Sequence, residues 1–280
     1  MSSIVRQRIF LVLLAAVAIV LVADLTLQEI MRTRDALPAA AEAPVEYVEP
    51  VVATPTLFRY IEVVDSCGPY FEGTCVNVRS GPGEEYTVVM QLRTGVVLKV
   101  RETLEHDGRT WYKITFDEPI RYPERVSRNW YVAGEFVRPF EDVGVLDLSG
   151  DVKASSTKRI LVDRSEQMLY AYEGDVLFMQ ERISTGLKST PTPRGTFTVY
   201  KKTPTRYMQG PLPGVSAQYY DLPGVPWNLY FTNQGGVIHG AYWHDKFGKP
   251  WSHGCVNLPL ERAQKLYLWA DVGTPVTVQY

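Results

Sequence analysis

The chain has 280 residues, a net charge of -2, 45% hydrophobic residues and three cysteines. That composition fills sizeable cores, so wholesale disorder, collagen-like repeats and disulfide-dense frameworks are excluded, and the near-neutral balance lacks the basic footprint of a nucleic-acid binder. The cysteine count is odd, so one thiol is left over once a pair has formed.

Residues 9–23 (IFLVLLAAVAIVLVA) carry no charge and follow Arg6 and Arg8, the apolar body and basic flank of an export signal. A membrane-spanning helix needs about 20 apolar residues; Asp24 interrupts the run, and Leu25, Thr26 and Leu27 extend it to a marginal span. Leu21 and Ala23 suit a cleavage site poorly. Residues 1–30 therefore read as an uncleaved signal anchor in preference to a cleaved signal peptide. The arginines keep the N-terminus cytoplasmic and place the rest of the chain on the extracytoplasmic face of the membrane. Pro38, Pro44, Pro50 and Pro55 stand among alanines and glutamates in residues 31–56, a polyproline-like spacer without a core of its own.

Residues 57–138 read as a first folded unit of short strands. VVMQL, VVLKVRET, TWYKITF and NWYVAGEFV are rich in β-branched and aromatic residues, and His106-Asp107-Gly108 marks a turn between two of them. Cys67 and Cys75 flank a turn-rich loop with Gly68, Pro69 and Gly73, and outside the cytoplasm such a pair is expected to form a disulfide stapling that loop. Trp111, Tyr112, Trp130 and Tyr131 are expected to fill the core of this unit rather than to contact cell wall. The turn VNVRSGPG, the following Leu92-Arg93-Thr94-Gly95 and the late W-Y strand resemble the bacterial Src-homology-3-like domain family. The resemblance implies a small barrel that binds or positions and does no catalysis. Residues 139–157 read as a linker, polar and Gly/Ser-containing toward its end.

A second unit is expected over 158–280. KRILVDRS, QMLYAYEGD and VLFMQERIST alternate or are apolar between turn residues, and TPVTVQY closes the chain as a strand. One helix is expected over 259–270, with Pro259 in its first turn, Ala263, Leu266, Tyr267 and Ala270 at helical spacing and Gly273 just beyond. The whole is mainly β with one packed helix.

Chemistry concentrates in GVIHGAYWHDKFGKPWSHGCVNLP, residues 236–259. A thiol attacks only as thiolate, so Cys255 needs an imidazole to take its proton. His239 ends an apolar strand and is the candidate base; His253, two residues before Cys255, either shares its face or contributes only its backbone. Gly254 leaves room for a carbonyl beside the sulfur, and the N–H groups of His253, Gly254 and Cys255 can converge on an oxyanion. His239, His244, His253 and Cys255 also offer metal ligands, but their spacing fits no zinc pattern, so neither metal nor cofactor is expected. A papain-like peptidase would place its cysteine early and its histidine far downstream, the reverse of this order.

His239, then twelve residues, then Ser252-His253-Gly254-Cys255-Val256-Asn257 strongly resembles the L,D-transpeptidase catalytic domain of the YkuD type. ILVDRSEQMLYAYEGD resembles that family's opening hairpin, and STGLKSTPTPRGTFTVYKK its T-G-x-x-x-x-P-T-P-x-G-x-F segment. The resemblance implies a β-sandwich in which Cys255 is the nucleophile and His239 the base. It further implies that Ser252, His253, Gly254 and Asn257 shape the site, and that the carbonyl of Gly240 is the third member of the triad. Trp227, Tyr230, Tyr242 and Trp243 are candidates either to line the substrate groove or to fill the core of a sheet, and Arg194 either to meet a stem carboxylate or to lie on the surface of a turn. The activity implied is release of D-alanine from peptidoglycan tetrapeptide stems through an acyl-enzyme, followed by 3→3 cross-linking to a second stem or attachment of a protein. The alternatives are an L,D-carboxypeptidase of the same fold and an inactive wall-binding protein. The partners expected are donor and acceptor stems and the membrane, with no nucleic acid.

Overall fold

The computed structural model describes residues 20–32, 55–126, 128–148, 157–233 and 235–280. The chain divides into two compact units, 1–53 and 54–280. In the first, residues 20–32 form helix α1, its side chains exposed. Most of the apolar run at 9–23 and most of the spacer at 31–56 lie outside the described residues. No helix among the described residues is long and apolar enough to cross a membrane.

The second unit is mainly β. Its first sheet contains β1 (Phe58–Val63), β2 (Val76–Arg79), β3 (Val88–Leu92), β4 (Val97–His106), β5 (Arg109–Thr115), β6 (Tyr131–Ala133) and β7 (Val137–Asp142), in the order β3-β2-β6-β5-β4-β1-β7. Trp111, Tyr112, Trp130 and Tyr131 are buried in it, as their residue types require. Cys67 and Cys75 form a disulfide across their loop, with Cα atoms 4.5 Å apart. The segment NWYVAGEFV is not one strand. It breaks after Ala133 into a single 3-10 turn, Gly134–Phe136, because the chain must leave the neighbour of β5 and become the neighbour of β1.

The stretch expected as a linker is partly strand. β7 runs through Pro139 to Asp142, paired antiparallel with β1, and β8 (Leu146–Asp147) joins the next part of the fold by pairing with Lys201 and Lys202. Residues 149–156 lie outside the described residues.

Two five-stranded sheets make the sandwich that follows. One contains β9 (Lys158–Asp163), β10 (Met168–Glu173), β11 (Val176–Arg182), β12 (Gly195–Thr198) and β17 (Pro275–Gln279), in the order β11-β10-β9-β17-β12. The other contains β13 (Lys201–Leu212), β14 (Ser216–Tyr230), β15 (Val237–Gly240) and β16 (Val256–Leu258), in the order β16-β15-β14-β13-β8. Alternation in KRILVD buries Ile160 and Val162, and PVTVQ buries Val276 and Val278; these meet Leu229, Ile238, Val256 and Leu258 of the second sheet in one core. Helix α2 (Leu260–Trp269) buries Ala263, Leu266 and Tyr267 against that core. Pro259 stands at its N-cap in extended conformation, just outside the first turn. The last turn is closed by Lys202 of β13, whose buried ammonium donates to the carbonyls of Tyr267 and Ala270, satisfying orphan acceptors and matching the negative end of the helix dipole.

The longest strands, β13 and β14, carry Pro204, Pro211, Pro223 and Pro226. Prolines ordinarily argue against a strand. Here register shifts at Arg206/Met208 and Gly210/Leu212 take up the irregularity, and the hairpin survives.

The two β portions share their cores. Tyr60 and Val97 of the first sheet belong to the cluster of the sandwich, and Val225 and Tyr242 belong to the cluster of the first sheet. Thr205 of β13 donates its hydroxyl to the carbonyl of Val97. Close approach needs Gly224, whose φ is +64° and whose added Cβ would lie 2.5 Å from the Val97 carbonyl oxygen. Gly224→Ala is therefore expected to destabilise the chain by about 2 kcal/mol, combining left-handed strain with overpacking against backbone. Thermal unfolding checks this, and an unchanged midpoint would remove the close-packed seam.

Candidate active site

β15 and β16 run parallel, with His239 directly opposite Asn257 and Ile238 opposite Val256. This pairing sets Cys255, at the entry to β16, beside Val237 at the start of β15. The two motif halves are thus joined by one ladder, and residues 241–255 form the loop between the parallel strands.

The third motif holds the thiol from the other side. Ser184 exchanges backbone hydrogen bonds with Asn257 at 3.0 and 2.8 Å, and Thr185 accepts from the backbone of Trp251 and Ser252. Gly186 allows the turn that follows; a Cβ there would lie 2.1 Å from the Thr190 carbonyl. Thr192 accepts from the Gly186 N–H at 2.9 Å and donates to the Cys255 carbonyl at 3.4 Å. Ser252 donates to that carbonyl at 2.6 Å and accepts from the Gly254 N–H at 3.1 Å. The backbone at Cys255 is therefore fixed by two hydroxyls. Gly254 has φ +121°, open to glycine, and the nearest heavy atom to an added Cβ would be 3.8 Å away, so space stays free beside the sulfur.

His239 is fully buried. Its Nδ1 lies 3.0 Å from the carbonyl of Gly240, which fixes the neutral tautomer: Nδ1–H donates and Nε2 keeps its lone pair. Nε2 has no hydrogen-bond partner. Burial pushes the imidazole down to about 4, with Arg206 and His244 acting in the same direction and the Gly240 hydrogen bond against it. Cys255 is the free cysteine, half-buried, its Sγ 3.7 Å from the Gly235 carbonyl. Burial pushes its thiol up, partly offset by Arg206 and by the backbone of Val237.

His239 and Cys255 open on one cavity of about 840 Å³, which Ser252, His253, Asn257 and Trp243 also line. His253 stacks on Tyr220, rings 5.9 Å apart, and Trp243 lies 5.7 Å from the His239 ring. Asn257 braces the floor: its amide is 2.8 Å from Nε2 of His244, whose Nδ1 accepts from the Lys246 N–H at 3.1 Å. Among the described residues no group of three or more His, Cys, Asp or Glu could hold a metal.

Four candidate groove residues are elsewhere. Trp227 packs in the sandwich core against Phe140 and Tyr267, with ring centroids 5.4 Å from each. Tyr230 is buried with its hydroxyl donating to Glu118 at 2.5 Å. Tyr242 is buried too and donates to the Pro223 carbonyl at 2.6 Å. Arg194 is exposed and covers the ring of Tyr280 at 3.8 Å. Their aromatic bodies are core material, which strand sequence alone does not distinguish from a groove lining. Of the expected oxyanion donors, the Gly254 N–H is occupied by Ser252.

The cavity has walls the sequence did not announce. One is the β13–β14 hairpin, with Arg206, Tyr207 and Tyr220; another is the loop after β5, with Glu118 and Arg121; Trp251 and Leu187 close a third side. The loop grips the hairpin: Tyr122 N–H donates to Gln209 and its hydroxyl to the Pro211 carbonyl, both at 2.8 Å, and Arg125 donates to the Gly210 carbonyl at 2.9 Å. Part of the first β portion is thereby a structural part of the site.

Residues 157–278 match the family model of the L,D-transpeptidase catalytic domain, and residues 74–122 that of the bacterial SH3 domain. The SH3 match precedes the transpeptidase match along the chain. It is 33% identical over 100 residues to the probable L,D-transpeptidase 3 of Mycobacterium tuberculosis (strain ATCC 25618 / H37Rv), an alignment covering 34% of this chain and 37% of that protein. The chain thus spans about 37% of the length of the curated relative it matches. Among solved structures it is similar to an L,D-transpeptidase of Enterococcus faecium, with 27% identity over 45% of this chain and 50% of that one and a TM-score of 0.40. The L,D-transpeptidase from Mycobacterium smegmatis shares 22% identity over 61% of this chain and 91% of its own, with a TM-score of 0.42.

Proposed function

We propose that the protein is a peptidoglycan L,D-transpeptidase acting through a Cys255 acyl-enzyme. One observation carries the reading: Nδ1 of His239 is committed to the Gly240 carbonyl, which leaves Nε2 as an unpartnered base in the cavity that Cys255 enters. The thiol proton passes to Nε2 as sulfur attacks the carbonyl of the diamino acid at position three of a tetrapeptide stem. The N–H of Cys255, which has no acceptor among the described residues, is the first donor to the oxyanion. Gly254 joins it if Ser252 releases its N–H. Collapse breaks the amide bond, and the imidazolium returns the proton to the departing D-alanine amine. An amine of a second stem then attacks the thioester, giving a 3→3 cross-link and restoring the thiol.

Residues 57–138 are read as a positioning domain, 158–280 as the catalytic domain, and 139–157 as their connection. An extracytoplasmic site of action, with residues 1–30 as anchor, is supported by Arg6 and Arg8 before the apolar run. It is supported too by the disulfide, which persists in oxidising compartments.

Incubating the protein with tetrapeptide-bearing muropeptides and analysing products by mass tests the function. Cross-linked dimers and free D-alanine are expected. D-Alanine release without dimers would make it an L,D-carboxypeptidase, and no turnover would make it a wall-binding protein.

A further inference from the structure

Arg206 lies on the cavity wall with its side chain 27% exposed and donates no hydrogen bond among the described residues. Its neighbours hold it without satisfying it. The ring of Tyr230 lies 5.3 Å from the guanidinium, and Glu118 Oε2 is 3.9 Å from Nε. Glu118 is already used: Oε1 accepts from Lys201 and Oε2 from the Tyr230 hydroxyl. A guanidinium offers five N–H donors in a planar fork that matches a carboxylate. Donors that no protein acceptor fills, facing a cavity of about 840 Å³, are free to take a ligand carboxylate in a charge-assisted pair.

The surroundings select the sign of that ligand. Arg93, Arg121 and Arg206 line the cavity against the single carboxylate of Glu118, while His239 is neutral. Arg93 is engaged, donating to the Pro69 carbonyl at 3.0 Å and covering the rings of Phe71 and Tyr242. Arg121 is exposed and has no ion pair among the described residues. Arg121, without an ion pair, and Arg206, with only a long one to a shared carboxylate, therefore leave the space around Cys255 cationic.

We infer that Arg206, steadied by Glu118 and Tyr230, is the anion-binding residue of the donor site and takes a free carboxylate of the acyl-donor stem. The inference rests on the transpeptidase reading for the identity of the peptide, and on the unfilled guanidinium for the carboxylate. Such a stem offers two sources of that chemistry, the terminal carboxylate of D-alanine and the side-chain carboxylate of a diaminopimelate third residue.

Binding to the full chain carrying Cys255→Ala separates recognition from chemistry. The probes are a synthetic diaminopimelate tetrapeptide ending in D-alanine, and its two forms with one or other carboxylate converted to an amide. Calorimetry on Cys255→Ala is expected to give affinity at least tenfold higher than on Cys255→Ala with Arg206→Gln, and Arg206→Lys should recover part of the loss. The amide that weakens binding to Cys255→Ala by the same factor, and loses nothing more when Arg206 is replaced, identifies the carboxylate. Affinity within twofold after Arg206→Gln, losses that simply add for both amides, or no binding of the free-acid peptide would overturn the inference. So would an Arg206→Gln chain that binds normally but shifts the pH midpoint of Cys255 alkylation, which would assign Arg206 to the thiol instead. Acylation of Cys255 by the free-acid peptide, read by intact mass on the unsubstituted chain, tests the transpeptidase reading alone; Arg206-dependent binding without acylation would retain the anion site and remove that reading.

Discussion

Cys255→Ala is expected to abolish both D-alanine release and cross-linking, a loss of about 10⁴-fold or more in turnover, as when the nucleophile is removed from other acyl-transfer enzymes. The other two cysteines are joined to each other. Ser252 is within the motif, yet its hydroxyl donates to the Cys255 carbonyl at 2.6 Å, holding backbone in place. The substitution should leave stability nearly unchanged, because the side chain is half-buried beside a cavity and deleting it removes one sulfur from an already open space. Product analysis on muropeptides with matched thermal unfolding checks both statements. Residual turnover near that of the unsubstituted chain would take Cys255 out of the reaction.

His239→Ala should cost about 10²- to 10⁴-fold in acylation, the usual contribution of a positioned base. The pH dependence distinguishes base from bystander. With the imidazole held at about 4 and the thiol pushed up by burial, the resting pair at neutral pH is thiol and neutral imidazole, not thiolate and imidazolium. Alkylation of Cys255 by iodoacetamide should accordingly keep rising with pH, with a midpoint above the ordinary thiol value of 9.0. The His239→Ala chain should recover part of its activity at alkaline pH, where hydroxide supplies the thiolate. A thiolate plateau below pH 7 would refute the neutral pair.

Stability carries the same signature. The folded value of His239, about 4, lies below the unfolded 6.5, so the unfolded chain binds the extra proton. Stability is complete above pH 6.5 and is lost as pH falls toward 4, by about 3 kcal/mol at the lower end. His244, also held at about 4 chiefly by burial, adds a loss of the same sign. Urea unfolding at pH 7 and pH 4.5 should show the decline, with a shallower slope in His239→Gln.

Much of the site was legible because its chemistry is local. Gly236 to Pro259 contains His239, Cys255 and the residues around them, and parallel pairing of two short strands is enough to bring them together. Helix α2 was readable from the spacing of Ala263, Leu266 and Tyr267. What escaped was non-local or disguised. Arg206 sits in a proline-bearing stretch with no strand signature, and Glu118 and Arg121 reach the cavity from the other β portion. Trp227, Tyr230 and Tyr242 were legible only as candidates because a large aromatic near a motif in sequence packs into core as readily as it lines a groove; only the sheet register decides which. The linker expected between the two portions misled for a different reason. Its polarity is that of an exposed edge strand, β7, and not of a spacer.

The shared cores of the two β portions set how this protein can fail. Tyr60 and Val97 complete the packing around Trp227 and Leu229, while Val225 and Tyr242 complete that around Ile61 and Leu98. Neither portion can melt without exposing apolar surface of the other, so heat should remove both in a single calorimetric transition instead of two. A surface lesion in the barrel-like portion, far in sequence from Cys255, would then silence catalysis by thermodynamic debt alone. By the same logic, swapping in a barrel from a relative would need its packing surface redesigned along with it.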